Sequence, residues 1–308
     1  MTDKGVFVHE FKAMACLCQI TMADVSREKA RNLAIKAENE VRRIEQKYSR
    51  YRDDSVIHAI NHQAGVAAVQ CDEETLALLD NADLLYQFSD GLFDITSGVL
   101  RRAWKFETAC PPTPSVLQES LSLIGWNKVV RTDTSLYLPA AGMEIDFGGF
   151  GKEYAADRAA QILFTEGVRS GHVNLGGDIH VLGPKPDGSP WNIGIRHPRR
   201  DDKPIATLPL SIGALATSGD YERYFDYLGK RYCHVLNPKT GQPAQSWQSI
   251  SVVSSDTLSA GSLSTIAMLM EEHALEFLRS ANVDFLAVSN KGEVFSEERE
   301  EESKYVEE

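Results

Sequence analysis

Apolar residues fall at Ala30, Leu33, Ala37, Val41 and Ile44 within the stretch Arg27 to Tyr48, the three-and-four spacing that gives a helix one buried stripe. Just before it, Cys16 to Val25 alternates in the manner of a strand. Asp54 or Ser55 is placed to cap a short helix through Ile60, and Asp72 to cap a helix over Glu73 to Phe88 that SDGLFD ends. Ser115 with Gln118 three residues later has the spacing of a capping box, which predicts a helix over Val116 to Ile124. NKVVRTDTSLYL reads as a hairpin, a glycine turn then feeds a helix from about Lys152 to Phe164, and DIHVLG, WNIGIR and ISVVSS read as strands. Strands grouped beside helices without strict alternation predict an α+β fold. No long linker, low-complexity segment or repeat interrupts the pattern, so one unit is expected over residues 1–296. Residues 297–308 form an acidic block that reads as solvated and disordered.

Composition narrows the function classes. With 43% hydrophobic and 25% charged residues the chain reads as soluble and globular, and no run approaches the roughly 20 apolar residues that span a bilayer. It is therefore not expected to be membrane-embedded. A net charge of -12 with scattered Lys and Arg argues against a nucleic-acid partner, and an anionic ligand would need local help. The N-terminus lacks the pattern of a secretory signal, which makes the cytoplasm the expected location. Five cysteines, Cys16, Cys18, Cys71, Cys110 and Cys233, stand at irregular spacings with no CxxC pair and read as reduced core thiols.

The chemistry concentrates in three polar glycine turns. IDFGGFGKEYAAD, from Ile145 to Asp157, fails as a Walker A loop because Asp146 stands where the first glycine belongs and Glu153 follows Lys152. It fails as a Rossmann fingerprint because Tyr154 lies three residues after Gly151. What remains is a phosphate cradle of glycine N–H groups, a helix N-terminus and Lys152, or else a tight strand-to-helix turn whose lysine faces water. VNLGGDIHVLG places Asp178 after Gly176 and Gly177, with a plain hairpin as the alternative. The third cluster, from Leu215 to Pro243, carries Thr217, Ser218, Asp220, His234, Asn237 and Thr240 around the turn glycines Gly219 and Gly241. His234 at a strand end suits proton transfer, although such a histidine is also commonly structural. His58 and His62 share a helical face but lack a third ligand nearby, and no GxSxG or HExxH occurs.

Taken in order, FKAMACLCQI, KYSRYRDDSVIHAIN, SDGLFDITSGVL, IDFGGFGKEYAADRAA, VNLGGDI, ATSGDYERYF, CHVLNPKTGQP and AGSLSTIAML resemble the ApbE family of FAD-dependent protein flavinyltransferases over nearly the whole chain. The resemblance implies an α+β unit of two subdomains with mixed or antiparallel sheets flanked by helices and FAD in the cleft between them. It also implies metal-assisted transfer of FMN from FAD to a Thr or Ser hydroxyl of an acceptor protein, with release of AMP and with Mg2+ as cofactor. On this reading His234 is the general base or proton relay. Met14, Tyr51, Asp94, Thr96, Lys152, Asp157, Gly176, Gly177, Asp178 and Thr217 line or shape the flavin site, with Asp94 and Asp157 readable instead as structural caps. The metal positions fall on the Gly151 carbonyl, on Gly261 where the family has an Asp, and on Thr265. The carboxylate missing at Gly261 is open to replacement by Asp178, Asp220 or Asp256. Other departures are Asn237 where the family has Asp before Pro, and Met14 to Cys16 reading MAC where many members read Met-Gly-Thr. Two alternatives stand beside transfer: an FAD-binding protein of the same fold without activity, and an FAD pyrophosphatase giving FMN and AMP.

Overall fold

The computed structural model describes residues 5–200 and 202–297. The acidic block from 298 onward lies outside the described residues, while Glu297, at its expected start, closes the final strand. The chain opens with a hairpin, β1 (Phe7–Ala13) and β2 (Cys16–Met22), followed by α1 (Arg27–Tyr48) and α2 (Val56–His62). Next come β3 (Val69–Gln70), α3 (Glu73–Phe88), α4 (Pro114–Ser122), β4 (Val130–Arg131), β5 (Ser135–Tyr137) and α5 (Gly151–Thr165). The second half runs β6 (Gly171–Leu175), β7 (Asp178–Gly183), β8 (Trp191–Arg196), β9 (Pro204–Leu210), β10 (Gly213–Gly219), β11 (Tyr224–Tyr227) and β12 (Lys230–Cys233). It ends with β13 (Trp247–Ser254), α6 (Thr257–Leu269), α7 (Ala274–Ser280), β14 (Asp284–Ser289) and β15 (Val294–Glu297).

The α+β expectation holds. One sheet runs β1-β2-β6-β7-β10-β13-β14-β15 with every neighbouring pair antiparallel. Helices α5 and α6 pack together across its centre, and α1 packs on α5. Alanines at 30, 34, 37, 155, 156, 159 and 160 are all buried in that layer, and such small side chains let helices approach closely. The opposite face carries the β8–β9 ribbon, whose Trp191, Ile193 and Ile195 meet Ile179, Val181 and Leu215 of the sheet. Because side chains alternate along a strand, Asp178 and His180 of β7 are left on the helix-covered face.

Local signals place several elements well. Ser55 caps α2 through His58 N–H at 2.9 Å, and Asp72 caps α3 through Thr75 N–H at 3.0 Å. The capping-box expectation at Ser115 is corrected: α4 starts at Pro114 with Thr113 as N-cap, and no side chain caps it. Proline at the first helical position has its φ set for the helix and lacks an N–H that would need a partner. The core-thiol expectation is also corrected. All five cysteines are free, but only Cys18 and Cys233 are buried, Cys16 and Cys71 are half-buried and Cys110 is exposed.

His172 of β6 carries an expected pH effect. Its ring lies edge-on to Trp191 at 5.1 Å, and its Nδ1 is buried without a hydrogen-bond partner. Burial pushes its pKa down from 6.5 to about 4. The unfolded chain then takes up this proton near pH 6.5 and the folded chain only near pH 4, so stability falls as pH falls through that window. The loss from this group is expected to reach about 3 kcal/mol. Denaturant titrations at pH 7 and pH 4.5 should show a smaller acid loss in His172→Phe than in the parent.

Candidate active site

The site is built where α5 begins. Phe147 and Phe150 are buried and anchor the glycine turn in the core, and the N–H groups of Phe150 and Gly151 both donate to Phe147 O, at 3.1 and 2.6 Å. Gly148 N–H donates to Asp146 Oδ1 at 3.0 Å, and Asp146 also pairs with Arg50. A side chain at Gly149 would meet Phe93 Cζ at 3.0 Å, so the loop stays low against the ring. No side chain caps α5, which leaves its positive end to whatever approaches.

Lys152, on the first turn of α5, reaches Asp178 at the start of β7 and forms an ion pair with it. Burial acts to lower the lysine pKa, but the negative charges of Asp178 and Glu153 outweigh it and hold the ammonium above its usual value. Asp178 is nearly sealed, and its Oδ1 accepts from Thr217 N–H at 3.3 Å. The next residue on α5, Glu153, is only 8% exposed. Burial, and then Asp178 beside it, push this carboxyl well above the usual carboxylate range. Its Oε2 is buried without a hydrogen-bond partner. In the sequence Glu153 serves only to exclude a P-loop, and no signal within its own segment marks it.

Helix α6 closes the other side. Ser218 of β10 shares its hydroxyl with Ser264 at 2.8 Å and Thr265 at 2.9 Å. Thr217 bonds Ser251 Oγ at 2.8 Å on neighbouring β13. Adjacent strand residues point to opposite faces, so Ser218 rather than Thr217 presents its hydroxyl to α6. Gly261 offers no side chain, and a Cβ built there would lie 2.5 Å from Glu153 Cγ and 3.1 Å from its Oε1. The space next to α6 at this position is filled from α5.

The two residues with alternative readings as caps both act as caps. Asp157 accepts from Thr257 N–H at 2.8 Å, from Leu258 N–H at 2.9 Å and from His180 Nδ1 at 2.6 Å, fixing α6 to α5 and β7. Asp94 accepts from Thr96 N–H at 2.7 Å, Thr96 Oγ1 at 2.6 Å and Trp126 N–H at 3.0 Å, while Thr96 Oγ1 accepts from Gly125 N–H at 2.8 Å. Both partners of that network are buried, so it ties loops together rather than lining a surface. Of the offered replacement acids, Asp220 is held by Arg199 through two contacts of 2.6 Å, and Asp256 caps α6 through Ser259 N–H at 2.8 Å. Only Asp178 remains at the site.

Gly176 and Gly177 form the two-residue turn between β6 and β7, with φ of 65° and 103°. A side chain at Gly176 would meet Cys16 Sγ at 2.9 Å, which ties this turn to the β1–β2 turn. In that second turn Met14 has φ 51° and its N–H donates to Glu45 Oε1 at 2.6 Å. Tyr51 is exposed and its Oη accepts from Arg50 at 2.9 Å. Arg223 also reaches Tyr51.

His234 follows β12, and its N–H donates to Arg223 O at 3.0 Å, closing the base of the β11–β12 hairpin. Its flanking neighbours Cys233 and Val235 are buried while the His234 side chain stands exposed. Crowding by protein, then Arg223 and Lys152, hold the imidazole below its usual value. Solvent access tempers the first cause, but both cations act in the same direction. Asn237 shapes its own turn, accepting from Lys239 N–H at 2.9 Å and Thr240 N–H at 3.2 Å.

His58 and His62 stack at 5.9 Å, and no cluster of three or more His, Cys, Asp or Glu suited to a metal occurs among the described residues. An ion at this site would therefore have to draw on hydroxyls and backbone carbonyls as well as carboxylates. The oxygen-only donors Glu153, Asp178, Ser218 and Thr265, one with an unpartnered buried oxygen, fit a hard divalent cation. No helix of the described residues is long and apolar enough to cross a membrane.

Comparison with known proteins bears on the family and the fold. The model of the ApbE family matches residues 14–287. The FAD:protein FMN transferase of Treponema pallidum is 33% identical over 238 residues, covering 71% of this chain and 66% of that protein. Its counterpart from Salmonella typhimurium is 26% identical over 299 residues, covering 94% of this chain and 85% of that one. The crystal structure of the ApbE protein of Thermotoga maritima superposes with a TM-score of 0.87 at 32% identity, over 96% of this chain and 97% of that chain.

Proposed function

The chain belongs to the ApbE family, and from that premise we propose that it transfers FMN from FAD to a Thr or Ser hydroxyl of an acceptor protein. The observation that carries this reading is the ion pair of Lys152, at the uncapped start of α5, with Asp178, next to helix α6 whose Thr265 bonds Ser218, with Lys152 among the charges that hold the His234 imidazole below its usual value. Such a place offers positive charge for a diphosphate and a neutral base for a hydroxyl.

In the proposed reaction the acceptor oxygen attacks the phosphorus on the FMN side of the FAD diphosphate. A phosphoester bond forms, the bond to the AMP phosphate breaks, and the hydroxyl proton passes to His234. Lys152 and the positive end of α5 orient the diphosphate and oppose its charge. Gly176, Gly177 and Met14 shape the turns beside Cys16, and Tyr51 with Arg50 and Arg223 forms the exposed rim of the flavin site. Thr265 and the Gly151 carbonyl would hold a Mg2+ ion, which when bound supplies further charge neutralisation on the phosphate oxygens. Five free thiols suit a reducing compartment, and we place the activity in the cytoplasm.

Nucleotide analysis tests the reading. Incubation with FAD and Mg2+ should release AMP only when an acceptor carrying a flavinylation Thr or Ser is present, and without matching free FMN. AMP with equal free FMN would make the protein a pyrophosphatase, and intact FAD bound to the protein would make it a binding protein.

A further inference from the structure

The resemblance assigns a metal-ligating aspartate to position 261, yet this chain has glycine there. The volume such a side chain would need is not empty. A Cβ on Gly261 would sit 2.5 Å from Cγ, 3.1 Å from Cδ and 3.1 Å from Oε1 of Glu153, so the Glu153 carboxyl lies where the first atoms of an aspartate at 261 would go. Glu153 is 8% exposed, its Oε2 has no hydrogen-bond partner, and its carboxyl lies against that of Asp178. Two buried carboxyls in contact, with Lys152 paired to only one of them, leave an unmatched oxygen that a cation satisfies. On the same helix as Gly261, Thr265 bonds Ser218, and Ser264 donates to Gly261 O at 2.9 Å, which fixes the α6 backbone beneath the carboxyl.

We propose that Glu153 is this chain's carboxylate ligand to the divalent cation, delivered from α5 in place of an aspartate on α6. The inference rests on the transferase reading for the identity of the site, and on the packing of Glu153 against Gly261 for the ligand. It follows that the two positions are exchangeable only together. An aspartate added at 261 alone collides with Glu153, whereas removing Glu153 at the same time reopens the space.

The test is Mn2+ binding to the purified protein, read from the electron paramagnetic resonance signal of the free ion. Glu153→Gln keeps the shape and removes the charge, and it should weaken Mn2+ binding by at least about tenfold, since even an outer partner of a metal ligand is worth that much. Gly261→Asp alone should not tighten binding. The double variant Glu153→Gly with Gly261→Asp should recover Mn2+ binding that Glu153→Gly alone lacks. Unchanged binding in Glu153→Gln, or a parent protein that binds no Mn2+, would overturn the assignment. Flavin transfer by the parent with Mn2+ binding indifferent to Glu153 would sink the ligand and spare the transferase. Mn2+ binding that follows Glu153, with no transfer by any variant to a competent acceptor, would do the reverse.

Discussion

Replacing His234 with alanine is expected to lower flavin transfer by roughly 10²–10⁴-fold while leaving FAD binding nearly intact, the range a positioned general base contributes. The backbone around it argues for a side chain set up to act. The N–H of His234 is tied to Arg223 O at 3.0 Å, and buried Cys233 and Val235 pin the segment on either side, so the exposed ring is carried on a fixed frame. Crowding and the cations Arg223 and Lys152 favour the neutral imidazole. A base held below its usual value is already deprotonated at pH 7, so transfer should be flat through neutrality and fall only as pH drops below the ordinary histidine pKa of about 6.5. His234→Gln, which keeps a hydrogen-bonding group of similar reach, should be as inactive as the alanine variant. If the glutamine variant retained substantial transfer, or if FAD affinity fell as far as turnover, the residue would be positioning the ligand rather than taking a proton.

Lys152→Met should produce the second large effect, on binding and on stability together. The ammonium opposes both Asp178 and Glu153, and its removal leaves two buried carboxyls facing each other. Breaking a fully buried pair costs about 3 kcal/mol or more, and with the Lys152 side chain 30% exposed the loss here is expected to be below that, at about 1–3 kcal/mol. A charge-assisted bond to a phosphate is worth about 1.5–3 kcal/mol, so FAD affinity should drop by roughly 10–100-fold. Calorimetric unfolding and a flavin fluorescence titration measure the two losses separately. Adding Asp178→Asn to Lys152→Met should return part of the stability, because one of the opposed charges is then gone, but none of the FAD affinity. Full FAD affinity in Lys152→Met would place the diphosphate away from the start of α5.

The parts of this molecule that could be read in the sequence are those whose cause is local. The apolar stripe of α1, the Asp72 cap of α3 and the strand segments DIHVLG and WNIGIR each act within a few residues, and each is found at the expected place. Helix α4 was displaced by a competing local signal, since Pro114 sets the first turn before Ser115 can cap it. The order of the eight-stranded sheet pairs residues far apart in the chain, such as Cys18 with Leu175, and no short-range pattern carries that. The site divides along the same line. Glycine turns and Lys152 stand out in the sequence because backbone freedom and charge are residue properties. Glu153 does not, because its meaning comes from the missing side chain at Gly261 on another helix. Ser218 and Thr217 are alike as letters, and only the packing of α6 on β10 decides which hydroxyl faces the helix. Asp94 and Thr96 are the converse, polar residues whose partners prove to be backbone N–H groups and each other.

In the proposed reaction a protein hydroxyl, not water, receives the FMN. Intact-mass analysis of an acceptor domain after incubation with this protein, FAD and Mg2+ tests that directly. The expected result is an acceptor heavier by one FMN phosphoester on a single Thr or Ser, with no gain when that residue is alanine or when His234 is replaced. An acceptor of unchanged mass, while AMP and free FMN accumulate in equal amounts, would contradict it.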